Sequence, residues 1–393
     1  MATLLLVSTA TSAQNGLTDA VKAAISLDPL AQQMESRKSL ASARETRASQ
    51  WLAGDPAFNL KYQTDAIGSD LGYQEWEGGV ELPLWWPGQR DALAREGEQT
   101  RIAAEAFAQS RELDIAGEVR ERLWELALAR SARQEARLAY DSARELEHDI
   151  NRRIEGGELP RSDLLLAQKE VVAREDALQQ ADNRVQQAER RFSRFTGMAV
   201  PPPATAEPLA QPGELSDQHP KLQLAAAEVA MARARRDQVQ AERFSGTSLW
   251  LGGKTTRAAS GDDYDSAVGL EVTLPFGSRS QSAPAQAEAE TALTQALADQ
   301  DRTRRELQES IDVATLAYQG SLDALRRSQR KQSLADESLG MSRRAFELGE
   351  TDLVRLLQAR SDAMTAHQEL EARRLEVGRA TARLNQILGV IPQ

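Results

Sequence analysis

The chain contains one pattern written twice. Leu82-Pro83 recurs as Leu274-Pro275, Gly157-Glu158 as Gly349-Glu350 and Gly197 as Gly389, each pair 192 positions apart. The same offset matches Gln89 with Gln281, Glu96 with Glu288, Glu98 with Glu290 and Arg152 with Arg344. It also matches Leu164 with Leu356, Leu165 with Leu357 and Ala167 with Ala359. A register kept without a gap from Leu82 to Gly197 marks a tandem duplication, so both copies must fold alike. The first copy spans residues 14–200 and the second 219–393. Between them, residues 201–218 form a linker rich in proline: Pro201, Pro202, Pro203, Pro208 and Pro212.

Each copy has the same internal order. A helix opens it, over Leu17–Ala53 in the first and about His219–Arg243 in the second. Two strand-like runs follow, at about 57–84 and 247–276. A very long helix is predicted over about 88–155 and 282–347, then a glycine turn, then a return helix over about 161–195 and 352–388. Ile115, Val119, Leu123 and Leu126, continued by Leu146, Ile150 and Ile154, recur at helical spacing, and Leu307, Ile311, Thr315 and Tyr318 repeat the stripe. Ser282 reads as the N-cap of the second long helix, with Pro284 in its first turn. Nearly 70 residues at ~1.5 Å each give a rod on the order of 100 Å. Such rods cannot wrap a compact core and must pack on other long helices, which by itself also suits a soluble coiled-coil scaffold or adaptor.

Composition narrows the function. The mean hydropathy is −0.52, and no uncharged apolar run approaches the ~18 residues of a membrane-spanning helix. Cysteine is absent, which removes thiol nucleophiles, disulfides and thiolate metal sites. The three histidines (His148, His219, His367) are scattered, and a net charge of −11 offers no basic face to nucleic acid. No phosphate loop, nucleophile–base pair or ligand cluster is present, so neither an enzyme nor a cofactor or metal site is expected. Met1–Ala13 reads as the latter part of a secretory signal without its positive leader, or as a frayed terminus.

The strand-like runs do not fit a scaffold. Trp76, Gly78, Val80, Leu82 and Leu84 alternate with Glu75, Glu77, Gly79 and Glu81, and Val268, Leu270, Val272 and Leu274 alternate with Gly269, Glu271 and Thr273. Period-two alternation predicts strands with one apolar and one polar face. Partner strands carry Phe58, Leu60 and Tyr62, and Leu249, Trp250 and Leu251. Four strands cannot close a barrel, and an open sheet leaves unpaired edges. If the apolar face meets lipid, every backbone group must still be paired, so several chains must close the barrel together; three would supply twelve strands. A hairpin patch packed on helices is the alternative.

The order of these parts resembles the outer-membrane efflux channel family typified by TolC. The resemblance takes in Leu17-Thr18-Asp19-Ala20-Val21 with Asp28-Pro29-Leu30, echoed by His219-Pro220-Lys221-Leu222. It includes the tip sequences Arg153-Ile154-Glu155-Gly156-Gly157-Glu158 through Asp163-Leu164-Leu165, and Phe346-Glu347-Leu348-Gly349 through Leu356-Leu357-Gln358-Ala359. It implies a mainly α fold with a small β part: tandem long helical hairpins forming an α-barrel, plus four strands given to a trimeric twelve-stranded barrel. It implies a passive homotrimeric duct in the outer membrane, with a long periplasmic extension. A periplasmic adaptor and a proton-driven inner-membrane pump would be its partners, and outer-membrane lipid would surround the barrel.

The resemblance also assigns residues. Trp76, Val80, Leu82, Val268, Leu270, Val272 and Leu274 would face lipid, and Glu75, Glu77, Glu81 and Glu271 the lumen. Gly156, Gly157, Glu158 and Leu159, with Gly349 and Glu350, would dock the adaptor. The periplasmic gate candidates are Asp163, Arg355, Gln358, Phe346 and Thr351. Asp163 matches a family aspartate, whereas Phe346 and Thr351 replace a tyrosine and an arginine, and Arg355 and Gln358 replace aperture aspartates. Arg355 is expected either to form a cationic ring or to pair with Asp163 of a neighbouring hairpin. The compact length and short hairpin loops resemble channels paired with heavy-metal cation pumps, with drug or polypeptide (type I secretion) export as the alternatives. The lack of Cys departs from the lipidated members.

Overall fold

The computed structural model describes residues 5–157, 159–210, 215–242, 246–275 and 279–392; of residues 5–15, 31, 32, 279 and 281 it describes the backbone alone. The helices are α1 (Leu5–Ser26), α2 (Ala31–Ser49), α3 (Gln89–Glu155), α4 (Arg161–Thr196), α5 (Pro220–Ala241), α6 (Arg279–Glu347) and α7 (Leu353–Ile387). The strands are β1 (Ala57–Thr64), β2 (Gln74–Pro83), β3 (Ser248–Arg257) and β4 (Asp265–Thr273). Met1–Leu4 of the expected signal lies outside the described residues, and Leu5–Ala13 has helical backbone within α1.

Two helix boundaries differ from expectation. The opening helix is not one segment over Leu17–Ala53 but α1 and α2, broken at residues 27–30. Pro29 lacks an N–H and disfavours helical geometry at the residue before it. Asp28 then accepts a hydrogen bond from the Leu30 N–H at 3.3 Å, which fixes the bend. At the other boundary, α6 begins at Arg279, so Pro284 lies inside the helix and Ser282 is not its N-cap. The Ser282 hydroxyl instead accepts from the Gln286 side chain at 3.2 Å. The missing bond of Pro284 falls so near the start that the helix continues past it.

By packing, the chain divides into two units that cut across the repeats. One comprises Met1–Ala31, Gln109–Pro220 and Arg305–Gln393; the other comprises Gln32–Ala108 and Lys221–Arg304. In the first, α1 supplies Ala20, Val21 and Ala24, α3 supplies Ile115, Ala116, Val119 and Leu123, and α4 supplies Phe192 to one buried cluster. Trp124 lies where a Cβ on Gly378 would stand, so only glycine lets α7 approach α3 there. The proline-rich segment is not a slack tether. Buried Arg120 holds Glu207 through two bonds of 2.9 and 2.7 Å, and donates to Gln386 at 2.6 Å and to the Val390 carbonyl at 3.0 Å. Asn385 completes the staple, accepting from the Ala210 N–H at 2.9 Å and donating to the Pro208 carbonyl at 3.0 Å.

In the second unit, the helical core is made of small residues: Ala103, Ala106 and Ala227, flanked by Ile102, Leu224 and Met231. Small side chains bring helices close and leave little apolar area, so a buried ion pair fixes the alignment. Glu96 is buried, forms an ion pair with Arg44 at 3.1 Å and accepts from Arg235 at 3.4 Å. The sheet of this unit is antiparallel in the order β1-β2-β3-β4, leaving β1 and β4 as edges.

Removing one partner of a buried ion pair strands the other charge. Arg120→Ala should therefore lower stability by about 3 kcal/mol in chemical denaturation, with Arg120→Lys recovering only part because the two-bond fork is lost. A second pair gives a pH dependence. Arg111 holds Asp28 through bonds of 2.8 and 3.0 Å and keeps its carboxyl below the ordinary carboxylate range. A depressed folded-state value adds stability above the unfolded value and loses it as pH falls through the folded one. Stability measured at successively lower pH below about 4 should therefore decline more steeply in the parent than in Asp28→Asn.

Candidate functional site

The candidate functional features are the sheet and the helical tips, each within its own unit. Strand register sorts the sheet residues by face, because directly opposed residues share one. Phe58 opposes Val80, which opposes Leu251, which opposes Leu270, and Tyr62 opposes Trp76. Ten apolar side chains on or flanking this face are exposed: Phe58, Leu60, Tyr62, Trp76, Val80, Leu251, Val268, Leu270, Val272 and, just past β4, Leu274. Val268 is 95% exposed and Leu270 66%. Leu82 is half-buried on the same face. The Tyr62 and Trp76 rings pack at 4.3 Å. Six of the seven residues expected to meet lipid are thus open apolar positions; Phe58, Leu60, Tyr62 and Leu251 belong with them and follow from the same alternation.

The opposite face carries Glu75, Glu77, Glu81, Asp265 and Glu271, with Lys61 and Lys254. Its acids are not equivalent. Glu75, expected to face an open lumen, is buried: Lys254 lies 2.6 Å away, Lys61 3.4 Å, and the Tyr73 hydroxyl donates at 2.6 Å. Glu77 stands 3.8 Å from the same Lys61. Glu81 accepts from Asn59 at 3.3 Å, and Glu271 is exposed. Trp250 also lies on this polar face, opposed by Glu81 and Glu271, out of phase with Leu249 and Leu251.

At the far ends of the sheet the two hairpin loops are tied together. The Ser260 N–H donates to the Leu71 carbonyl at 2.9 Å, and the Tyr264 hydroxyl donates to Gln74 at 2.6 Å. Asp65 organises the first loop by accepting from Ser69 and from the Leu71 N–H, both at 2.8 Å.

The tips repeat one another in backbone and differ in side chain. Gly157 and Gly349 end α3 and α6 with φ of 76° and 74°, values that L side chains rarely adopt. The Gly157 N–H donates to the Ile154 carbonyl at 2.9 Å, and the Glu350 N–H to that of Ala345 at 2.8 Å. Helix α4 starts after Pro160 without a side-chain cap, whereas Asp352 caps α7 by accepting from the Arg355 N–H at 2.9 Å. Leu146, Ile150, Ala167, Phe346, Leu353 and Leu356 form a buried cluster, with Leu159, Leu164 and Leu357 against it.

The expected gate candidates differ in their surroundings within one chain. Phe346 is only 8% exposed, a core residue with the Arg153 guanidinium 5.3 Å from its ring, because without a hydroxyl it gains nothing from water. Asp163 and Arg355 occupy corresponding positions in the two tips, and among the described residues no ion pair joins them within one chain. Gln358 donates to Asp362 at 3.1 Å, and Thr351 is half-buried. Gly156 and Gly349 are exposed at the turns, as is Glu350; Glu158 lies outside the described residues. Sequence reasoning missed Arg360, which donates to the Ser142 carbonyl at 2.6 Å and whose pKa is lowered by burial. No spacing signal announces that contact.

Residues 212–390 match the family model of the outer membrane efflux protein. No curated protein matches the chain. Among solved structures, VceC of Vibrio cholerae superimposes with a TM-score of 0.75 at 14% identity, over 96% of this chain and 97% of that one. CusC, described as undergoing conformational changes with folding and transmembrane channel formation, gives a TM-score of 0.75 at 14% identity over 95% and 92%. The open-state MtrE channel of Neisseria gonorrhoeae gives 0.73 at 15% identity over 95% and 89%. The chain therefore has the fold of the TolC-like outer-membrane channels, and its second repeat carries the sequence signature of the outer membrane efflux proteins.

Proposed function

We propose that this chain is one subunit of a homotrimeric outer-membrane efflux channel. The observation that carries the reading is the sheet: a contiguous apolar face open to its surroundings on strands whose other face is charged, with the outer edges of β1 and β4 unpaired among the described residues. In water such a face is a liability and such edges invite association. In a bilayer the apolar face is satisfied by lipid, and the edges by β4 of one copy pairing with β1 of the next. The fold and the efflux-protein signature support the same reading.

The duct is passive, and its polar face lines the water-filled lumen. Its energy comes from an inner-membrane pump, proton-driven, through a periplasmic adaptor. The adaptor docks at Gly156, Gly157, Leu159, Gly349 and Glu350, where both turns are exposed or nearly so. The tips form the periplasmic gate, with Arg355 paired to Asp163 of the next subunit. The cargo is cationic, heavy-metal ions among the candidates, because Glu75, Glu77, Glu81, Asp265 and Glu271 outnumber Lys61 and Lys254 on the polar face.

The lipid face is tested by charge. Leu270→Arg places a cation in hydrocarbon at about 2–4 kcal/mol per chain, so the heat-sensitive trimer on detergent gels should be lost. Gln63→Arg, on the opposite face, should keep it. A parent protein that leaves membranes without detergent and sediments as a monomer overturns the reading. The gate is tested separately: Arg355→Glu should raise single-channel conductance, and unchanged conductance and gating would remove Arg355 from it.

A further inference from the structure

On the polar face the cross-strand pairs stack into rows. Glu81, Trp250 and Glu271 form one row, and Gly79, Gly252 and Gly269 the next. Glu77, Lys254 and Ala267 form the third. The Trp250 indole leans from its own row over the glycine row. A Cβ at Gly79 would stand 2.5 Å from the ring and one at Gly269 3.1 Å; at Gly252 it would be closer still. Glycine weakens a strand, so three in one row across three strands mark a place where something must come close to the backbone. Here that is the Trp250 indole, which is half-buried.

The charges around the ring are unbalanced. Glu75 and Glu77 are matched by Lys61 and Lys254. Among the described residues, Glu81 in the Trp250 row accepts from the neutral Asn59 side chain and has no ion-pair partner. Among the described residues Glu271 has no ion-pair partner, and no cation lies over the indole. Directly opposed side chains start roughly 4.5–5.5 Å apart, so a glutamate stands on each side of Trp250 in its row. An indole face attracts cations through its quadrupole, most strongly when they are weakly hydrated. Small divalent metal ions shed water reluctantly and gain little from a ring. Alkyl and aromatic ammonium ions fit both parts.

The geometry points to a binding site for organic ammonium cations, built from the Trp250 indole with Glu81 and Glu271 beside it. This deepens the channel reading and rests on it: the site serves transport only if the polar face lines a lumen, which the threefold assembly would then furnish with three indoles and six carboxylates. A ring that only covers glycine backbone and pins the register would leave ion binding unaffected.

The test is current block in the assembled channel. With the parent protein in planar bilayers, tetraethylammonium added from the barrel side should block the current. Trp250→Leu should raise the half-blocking concentration about five- to tenfold, and Trp250→Phe, which keeps a ring, about two- to threefold. If the leucine variant does not assemble, the phenylalanine variant carries the comparison. Joint Glu81→Gln and Glu271→Gln should lower the potassium-to-chloride permeability ratio. The chain has no native cysteine, so Glu271→Cys can be labelled uniquely by a water-soluble thiol reagent. Conducting Trp250 variants with unchanged block would overturn the site and leave the channel standing. A parent protein that does not conduct, or an unlabelled Glu271→Cys, would overturn the lumen and the site together.

Discussion

Backbone hydrogen bonding at two strand edges is the constraint on which the remaining features depend. The sheet β1-β2-β3-β4 satisfies its interior ladders and leaves one side of β1 and one side of β4 without partners. Water could satisfy those edges, but the apolar face of the same strands resists water. Lipid accepts the face, yet cannot satisfy the edges. Only further strands meet both demands, and among the described residues the four strands are already used. On the proposed channel reading a single protomer is therefore an incomplete object, and the demand for assembly comes from the chemistry of some forty strand residues in a polar chain of 393.

The helical units solve a different problem with related means. Alanine-rich interfaces bury little area per residue, so dispersion and the hydrophobic effect alone fix their alignment weakly. Buried charges supply the register: Glu96 between Arg44 and Arg235 in one unit, Arg120 with Glu207 in the other. Such pairs contribute little net stability, since desolvation offsets attraction, but a misaligned helix would leave a bare charge inside. The Arg120 cluster also recruits Gln386, Asn385 and the proline-rich segment. What looks in sequence like a joint between repeats is a strap held at a buried charge.

How much of this was legible depended on the range of the interaction. The long helices and strands were legible because periodicity is local: Ile115, Val119 and Leu123 declare their stripe, and Val268, Leu270 and Val272 their face. Pro29 also announces a break, yet the helix expected over Leu17–Ala53 runs through it. The face of Trp250 could have been read by counting two residues from Gly252. That its ring lies on glycines of three strands depends on register, which no single strand contains. Glu207, Arg360 and the burial of Phe346 depend on partners tens to hundreds of positions away. For those, residue type misleads: an arginine or glutamate is read as solvated until its partner is known.

Duplication sharpens the distinction between what the fold requires and what use has changed. Gly157 and Gly349 retain left-handed backbone in both copies, as do Gly197 and Gly389, because the turns fail otherwise. The side chains that could meet solute have diverged. Asp163 of the first tip is Arg355 in the second, and Glu81 of β2 stands at the position of Thr273 in β4, whereas Glu271 corresponds to Gly79. The acids that flank Trp250 are thus not copies of one ancestral position. They come from non-equivalent positions of β2 and β4, brought level by the pairing of each with β3. A feature assembled from non-equivalent positions of a repeat is not demanded by the fold that both copies share, and it is there that the chemistry particular to this chain is to be sought.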